Sequence, residues 1–507
     1  MRVAGKWSIL AILSFALALI ALDNTIVNVA LPSLQEDLRA SSAQLQWVVD
    51  AYSVLFAGTL LLAGSLGDRF GRKRILLIGL LIFALGSLAA GASPDANVLI
   101  VCRAIMGIGG AFIMPSTLSI LVQTFASPRQ RAQAIGIWAA VAGVGVAIGP
   151  IVGGALLEQF SWHSVFLVNP PLVVVVLALT WWLIPESLDA SKPQLDTRGA
   201  ALVSLGLIAL VTFIVELPDS GINAVTVVSG ISAVVLLASF VWWEKRAPRP
   251  LLPMDLFGQR LFTVAVVLVG LVYFALMGAL FFLPQFLQLV QGMSPLESGV
   301  SMLPGAGGLL VASLLSPQLA QRWGARTVVV IGVFLVSAGL AAMAFVEPMT
   351  TYAYVGAALG VTGIGMGLTL PQATNGVLSC VPRERSGMGS AVNDAVSELG
   401  GSFGVAILGG VLAFFYRSRI DEAVASVGPD AGEVPTEALD AIRESLASAI
   451  IVIQQLPDAL AEPARAIVSG AFVSGMGWAL SVGAAVTVLG ALVAWRFFPR
   501  QLEQVEE

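Results

Sequence analysis

The chain has 507 residues, 57% of them apolar and 11% charged, with a mean hydropathy of +0.90 and a formal net charge of −5. A soluble protein carries about 25% charged residues, so these charges are too few to coat a water-facing surface of this size, and a soluble globular fold is excluded. The net charge names no partner, and the two cysteines, Cys102 and Cys380, form no ligand set.

Apolar runs of about 20 residues recur along the chain, each long enough to cross a ~30 Å hydrocarbon core as a helix. They place helices at 7–30, 46–66, 75–93, 98–124, 132–157, 164–184, 199–217, 223–243, 261–287, 297–318, 326–346, 352–378, 386–415 and 468–496. This is the pattern of an all-α polytopic membrane protein with fourteen transmembrane helices. "MRVAGKW" and the run after it resemble a signal peptide, but the run is long and a second span follows closely, so it reads as an uncleaved first helix. An even count puts both termini on one side. With that side inside, Arg39, Arg417, Arg419, Arg443 and Arg465 fall outside, Arg103 falls within a span, and the rest of the 26 Lys and Arg fall inside. The positive-inside rule therefore makes both termini cytoplasmic.

The first helix contains "LDNTIVNVALP" (22–32). An ionisable group near the bilayer centre costs at least ~2.5–3.5 kcal/mol on insertion scales, which makes Asp23 a candidate for proton or substrate handling. Asn24 and Asn28 suit interhelical hydrogen bonding equally well. Asp50, in "QWVVDAYS" near the outer end of the second helix, is nearer water. Between the second and third helices lies "GSLGDRFGRKR" (64–74). Gly67 and Gly71 permit a tight turn, and Asp68 can face a helix N-terminus in the opposite half, with the start of the thirteenth helix as its target. Arg69, Arg72, Lys73 and Arg74 meet anionic lipid or acidic groups, or simply hold the loop inside. Arg103, the one basic residue within a span, lies in the outer third of the fourth helix and can pair with Asp23 or Asp50.

In the fifth helix, "GVGVAIGPIVGG" (143–154) sets Gly143, Gly145, Gly149, Gly153 and Gly154 with Ala147 on a smooth surface. Small residues allow close helix approach, and Pro150 frees a backbone carbonyl. Lone His163, beside Trp162, reads as interfacial. In the thirteenth helix Asp394 and Glu398 are four apart and share a face. Two such carboxylates in a low dielectric do not both ionise easily, so the pair tends to hold a proton. A bound cation expels it, which is antiport chemistry in its simplest form. The alternative is that one acid merely bonds to a neighbouring helix. The acidic bias favours cationic substrates. Trp138, Tyr273, Phe274, Phe281 and Phe282 offer cation–π contacts, Met114 and Met277 adaptable liners, and Asn24, Gln285 and Gln288 polar contacts, although aromatics on membrane helices more often face lipid or neighbours. Residues 416–467 read as a long acidic external segment whose apolar middle, "LASAIIVIQQL", lies on the surface or forms a hairpin.

The chain repeats itself. "GDRFGRKR" (67–74) is echoed by "AQRWGART" (320–327), "SPRQRAQA" (127–134) by "VPRERSGM" (381–388), and Pro32 by Pro284, all about 253 positions apart. Three echoes in register indicate duplication: helices 1–6 correspond to 9–14. The expected organisation is an N-terminal six-helix bundle (1–185), two inserted linker helices (186–250) and a C-terminal six-helix bundle (251–507) that includes the external loop 416–467. Parallel six-helix repeats are a transporter plan, with the substrate site near the midplane between halves.

These segments resemble a known family. "GSLGDRFGRKR" looks like the loop 2–3 signature of the major facilitator superfamily. "RAIMGIGGA" (103–111) resembles its helix 4 motif, with Met106 where the family often has Gln, and "GVGVAIGPIVGG" its helix 5 motif in proton-driven exporters. "LDNTIVNVALP" and "LDTRGA" (195–200) are similar to motifs of the fourteen-helix drug:proton antiporter branch, of quaternary-ammonium and multidrug efflux type. The resemblance covers nearly the whole chain. It implies the major facilitator fold and a conformational latch of Gly67, Asp68, Arg69, Gly71 and Arg72 that is made and broken during transport. It also implies an inter-half hinge at Gly145, Gly149, Pro150, Gly153 and Gly154, and supports a protonatable acid in the thirteenth helix.

The expectation is a proton-coupled antiporter that exports lipophilic, cationic drugs or toxic compounds by alternating access in a bacterial cell membrane. Proton coupling falls to Asp23, Asp50, Arg103, Asp394 and Glu398. No enzymatic activity, cofactor, metal or nucleic acid is expected; the driving force is the proton-motive force, the partners are small molecules, protons and the bilayer, and the chain is expected to be a monomer. Two alternatives stand beside this: a dedicated exporter of one endogenous metabolite or antibiotic, and a lipid transporter in which the inserted helices widen a lateral opening. A membrane enzyme or sensor is disfavoured, because the sequence has no P-loop, HExxH or metal-spaced His/Cys cluster.

Overall fold

Each apolar run folds as a helix, because a helix satisfies every backbone N–H and C=O within itself in hydrocarbon. The structure, a computed structural model, describes residues 5–40, 42–187, 196–248, 250–427, 436–454 and 458–501. Among them fourteen spans are long and apolar enough to cross a membrane, the sixth (His163–Leu183) only when the short helix His163–Leu167 is counted with its main helix, and fourteen main helices carry them. They are α1 (Lys6–Leu38), α2 (Ser42–Phe70), α3 (Arg72–Ala90), α4 (Ala96–Thr124), α5 (Pro128–Gln159), α6 (Asn169–Leu183), α7 (Thr197–Ser220), α8 (Ala224–Glu244), α9 (Arg260–Gln285), α10 (Leu303–Trp323), α11 (Ala325–Ala344), α12 (Tyr352–Ser379), α13 (Ser386–Val427) and α14 (Asp458–Phe497). Asp95 caps α4 by accepting from the N–H groups of Asn97 and Val98, and Asn223 starts α8 with a capping box closed by Thr226.

The helices form two six-helix bundles, α1–α6 and α9–α14, with α7 and α8 inserted between them. The duplication is visible in the backbone. Gly71, before α3, has φ +112°, and Gly324, before α11, has φ +85°. Both turns need the left-handed region that glycine alone enters freely. Close packing repeats as well. Gly145, Gly149 and Gly153 of α5 lie against Ala18, Thr25 and Ile26 of α1, and Gly400 and Gly404 of α13 lie against Gly270 and Phe274 of α9. Pro284 lies within α9, while the side chains of Asn28 and Pro32, like that of Ala147, are outside the described set.

Two seams join the bundles. On one, α5 packs on α10 and α12; on the other, α2 and α4 pack on α13. α7 lies along the second seam, where Val54 and Ala57 of α2, Val211 of α7 and Leu399 of α13 share one apolar cluster. α7 therefore lies over this seam, and α8 packs on α7. Asp196 of "LDTRGA" caps α7 through the Gly199 N–H and accepts from the Trp243 indole of α8, which fixes the two inserted helices together.

Residues 416–467 differ from the expectation of a loop. α13 runs on to Val427 and α14 begins at Asp458, with short helices Thr436–Glu444 and Leu446–Ile453 between them. Hydropathy falls where a helix leaves the membrane, yet amphipathic residues continue the same helix. The apolar middle is packed, with Leu446, Ala449 and Ile453 buried in the cluster that holds Tyr416, Ile420 and Phe286. Residues 428–435 and 455–457 lie outside the described set.

Candidate functional site

The costly acid of α1 is fully engaged. Asp23 and Arg103 are each 1% exposed, and their side chains meet at 2.7 Å. Asn169, at the start of α6, donates to the other Asp23 oxygen at 2.7 Å and to Ser87 of α3 at 3.1 Å. Arg103 Nε donates to the Val48 carbonyl of α2, and its guanidinium lies 4.6 Å from the Tyr52 ring centroid. Of the two partners the sequence offers Arg103, the structure supplies Asp23; Asp50 is half-buried nearer the end of α2. Arg103 is not the only buried cation: Arg72, Lys73 and Arg131 are buried where helices begin.

Across the second seam lie the acids of α13. Asp394 is buried and accepts from the Asn393 amide at 3.2 Å. Glu398 accepts from Ser53 of α2, so it reaches the opposite bundle. Tyr273 of α9 lies within electrostatic reach of both acids and bonds to Ser397. Tyr52 lies within reach of Glu398 as well as of Asp23 and Arg103. Tyr52 thus lies within electrostatic reach of the ion pair of one bundle and of Glu398 in the other, and Ser53 beside it bonds to Glu398; the sequence reading singles out neither residue. Their only sequence signal is position, two and three residues after Asp50 on a helix that borders the seam.

The remaining expected contacts are dispersed. Trp138 is buried and donates to Thr117, so its ring is packed in the amino-terminal core instead of lining a space. Phe274 is buried, Met114, Asn24 and Tyr273 are half-buried, Phe281 is 45% exposed, and Gln285 donates to the Phe281 carbonyl of its own helix.

The loop between α2 and α3 is anchored on both sides. Asp68 accepts from the N–H groups of Gly387 and Met388, each at 3.0 Å, at the start of α13, where the helix dipole favours an anion. Arg72 donates to Asp68 at 2.7 Å and to the Glu384 carbonyl at 2.6 Å. Gly67 is still helical within α2 and its carbonyl accepts from the Gly71 N–H at 3.0 Å, so of the two glycines expected to turn here Gly71 makes the turn; Arg69 lies 5.2 Å over Phe70. Glu186, which the sequence reading misses, holds the other flank. It accepts from the Lys73 N–H at 3.0 Å and lies 3.8 Å from Arg74, while Lys73 donates to the Trp181 carbonyl. A Cβ on Gly71 would stand 2.6 Å from the Glu186 carboxylate at a φ that side chains avoid. Gly71→Ala is therefore expected to destabilise the purified protein by about 1–3 kcal/mol, seen as a lower unfolding temperature in detergent.

The helix 5 glycines, expected at one interface between the halves, divide between two neighbours. Gly145, Gly149 and Gly153 do not face the other bundle; they pack on α1 within their own. The faces that meet the other bundle are Gly136 on Ser313, Gly143 on Leu309 and Pro150 on Gly299, while Gly154 has open space around it. The spacings explain the division. Steps of four put 145, 149 and 153 on one stripe, and steps of seven put 136, 143 and 150 on another.

Residues 13–405 match the Major Facilitator Superfamily. The chain is 36% identical over 494 residues to the multidrug efflux pump LfrA of Mycolicibacterium smegmatis, covering 97% of this chain and 96% of that one. It is 33% identical over 505 residues to the tetracenomycin C resistance and export protein of Streptomyces glaucescens, covering 99% and 93%. In fold it is similar to the human organic anion transporter MFSD10, with a TM-score of 0.63 at 13% identity over 97% of this chain and 100% of that one.

Proposed function

The chain belongs to the major facilitator superfamily, and from that premise we propose that it exports lipophilic organic cations, drugs among them, in exchange for protons. One observation carries this reading. Two acids, Asp394 and Glu398, lie in the membrane interior at a seam between the bundles, and no ion pair among the described residues includes either of them. Such a site accepts a proton or an organic cation, and neutralisation by one lowers its affinity for the other. Rocking of the bundles about the seams exposes it to each side in turn. The Lys and Arg bias supports a cytoplasmic position for the termini and the α2–α3 loop; on that reading, with Asp68 bonded to α13, the protein is closed on the cytoplasmic side. The similarity to a multidrug efflux pump supports the direction and the breadth of transport.

The test uses the purified chain in proteoliposomes with an acidic lumen and ethidium outside. For one-for-one exchange, each pH unit sustains about a tenfold ethidium gradient. Accumulation that nigericin collapses is expected; equal accumulation without a pH gradient overturns the proposal. The similarity to a tetracenomycin C exporter supports a second reading, export of a single antibiotic. In that case ethidium gives no signal and one neutral or anionic compound of a panel does.

A further inference from the structure

On the lipid-facing side of α11 and α14 lies a groove of about 540 Å³, lined by Val330, Phe334, Val488, Ala491, Leu492 and Trp495. Phe334, Leu492 and Trp495 are 59%, 54% and 63% exposed, so its walls meet hydrocarbon. From Val488 to Trp495 it runs about 10 Å at 1.5 Å per residue, roughly two-thirds of one leaflet of a ~30 Å core. Both walls end in an arginine. Arg326, Val330 and Phe334 are spaced by four on α11, and Val488, Leu492 and Arg496 by four on α14, so each arginine shares a face with groove-lining residues. Arg326 begins α11 and Arg496 ends α14, at the same end of the groove. There the start of α11 is joined to the residues after α14, Ala325 N–H to the Arg500 carbonyl at 2.8 Å and Arg326 Nε to the Phe498 carbonyl. None of Arg322, Arg326, Arg496 and Arg500 has a carboxylate partner among the described residues.

The internal repeat shows what is missing. In the amino-terminal bundle the same corner carries its own anion: α6 is followed by Ile184, Pro185 and Glu186, and Glu186 meets Lys73 and Arg74. At the end of α14 the chain continues as Phe498, Pro499 and Arg500, and the Arg500 carbonyl takes the Ala325 N–H as the Ser187 carbonyl takes the Arg72 N–H. Among the described residues no carboxylate is paired with an arginine at this corner, and Arg500 adds a third cation to it. We infer that this groove binds an anionic phospholipid, one acyl chain lying between α11 and α14 and the phosphate held by Arg326 and Arg496. Guanidinium–phosphate contacts are charge-assisted and bidentate, and Trp495 stands where indoles prefer to sit, at the membrane interface. A second copy of this chain seated here about a two-fold axis would bring the arginines against themselves; a phosphate neutralises them.

The experiment titrates the delipidated full-length protein in detergent with phosphatidylglycerol or phosphatidylcholine carrying brominated acyl chains, and reads tryptophan quenching. Trp495→Phe supplies the background. At roughly fivefold per arginine, phosphatidylglycerol is expected to quench Trp495 at about thirtyfold lower concentration than phosphatidylcholine. Arg326→Gln with Arg496→Gln should bring the two lipids together, and Arg500→Glu, which sets a carboxylate at this corner, should remove the preference alone. Val488→Phe, on an exposed face, should weaken quenching by both lipids. Equal quenching of the wild-type protein by the two lipids overturns the inference, as does quenching indifferent to Val488→Phe, or protection of Trp495 that rises with protein concentration and a doubled mass. The wild-type comparison decides the matter even where a variant fails to fold.

Discussion

Asp394→Asn and Glu398→Gln are each expected to abolish pH-driven ethidium accumulation in proteoliposomes while the protein stays folded. The size of the effect follows from electrostatics. A carboxylate about 4 Å from a bound cation contributes roughly 4 kcal/mol at an effective dielectric of 20, so its removal lowers cation affinity by about thirtyfold even if half of that is recovered by water. Stability is spared for a separate reason: neither acid has an ionic partner among the described residues, so a neutral amide of the same shape strands no opposite charge. The amide introduced by Glu398→Gln can still bond to Ser53, the partner of the native carboxylate. Size-exclusion profiles and unfolding temperatures close to wild type, with transport at the level of protein-free vesicles, is the expected combination. Full-rate accumulation by both variants would remove these acids from the mechanism.

Much of the fold is legible because hydrocarbon makes one demand on every segment. Fourteen apolar runs become fourteen helices, and the turn glycines at 71 and 324 mark the duplication, since a left-handed turn cannot be built cheaply from other residues. What the sequence hides is partnership between distant positions. Asp68 is readable as an acid in search of a helix start, but Glu186 is an ordinary residue after a helix until the fold brings it to Lys73. Asn169 likewise shows nothing in its own segment of its bonds to Asp23 and Ser87. The helix 5 glycines read as one surface because they cluster in sequence; separated by steps of four and seven, they serve two different neighbours. Hydropathy also marks where a helix leaves the membrane and not where it ends, which is why the helices beyond residue 415 escape a reading of apolar runs.

Asp23→Asn is expected to cost the fold about 3–5 kcal/mol, because it leaves the Arg103 guanidinium buried without its counter-ion. Arg103→Gln should cost a similar amount by stranding the carboxylate. Pairing the two changes removes both charges, and most of the loss should return, since Asn169, Val48 and Tyr52 still pack around uncharged side chains. Thermal unfolding in detergent measures this cycle. The double variant then separates two roles that the single variants confuse. If the pair is only internal glue, a folded protein without it pumps at the wild-type rate. If a proton must enter the pair to free Arg103 and change the field at Tyr52 and Glu398, the folded double variant still exchanges ethidium for ethidium across the vesicle but no longer concentrates it against a pH gradient. The second outcome is expected, because Tyr52, whose ring lies against Arg103, is also within electrostatic reach of Glu398 in the opposite bundle, a placement that glue alone does not require.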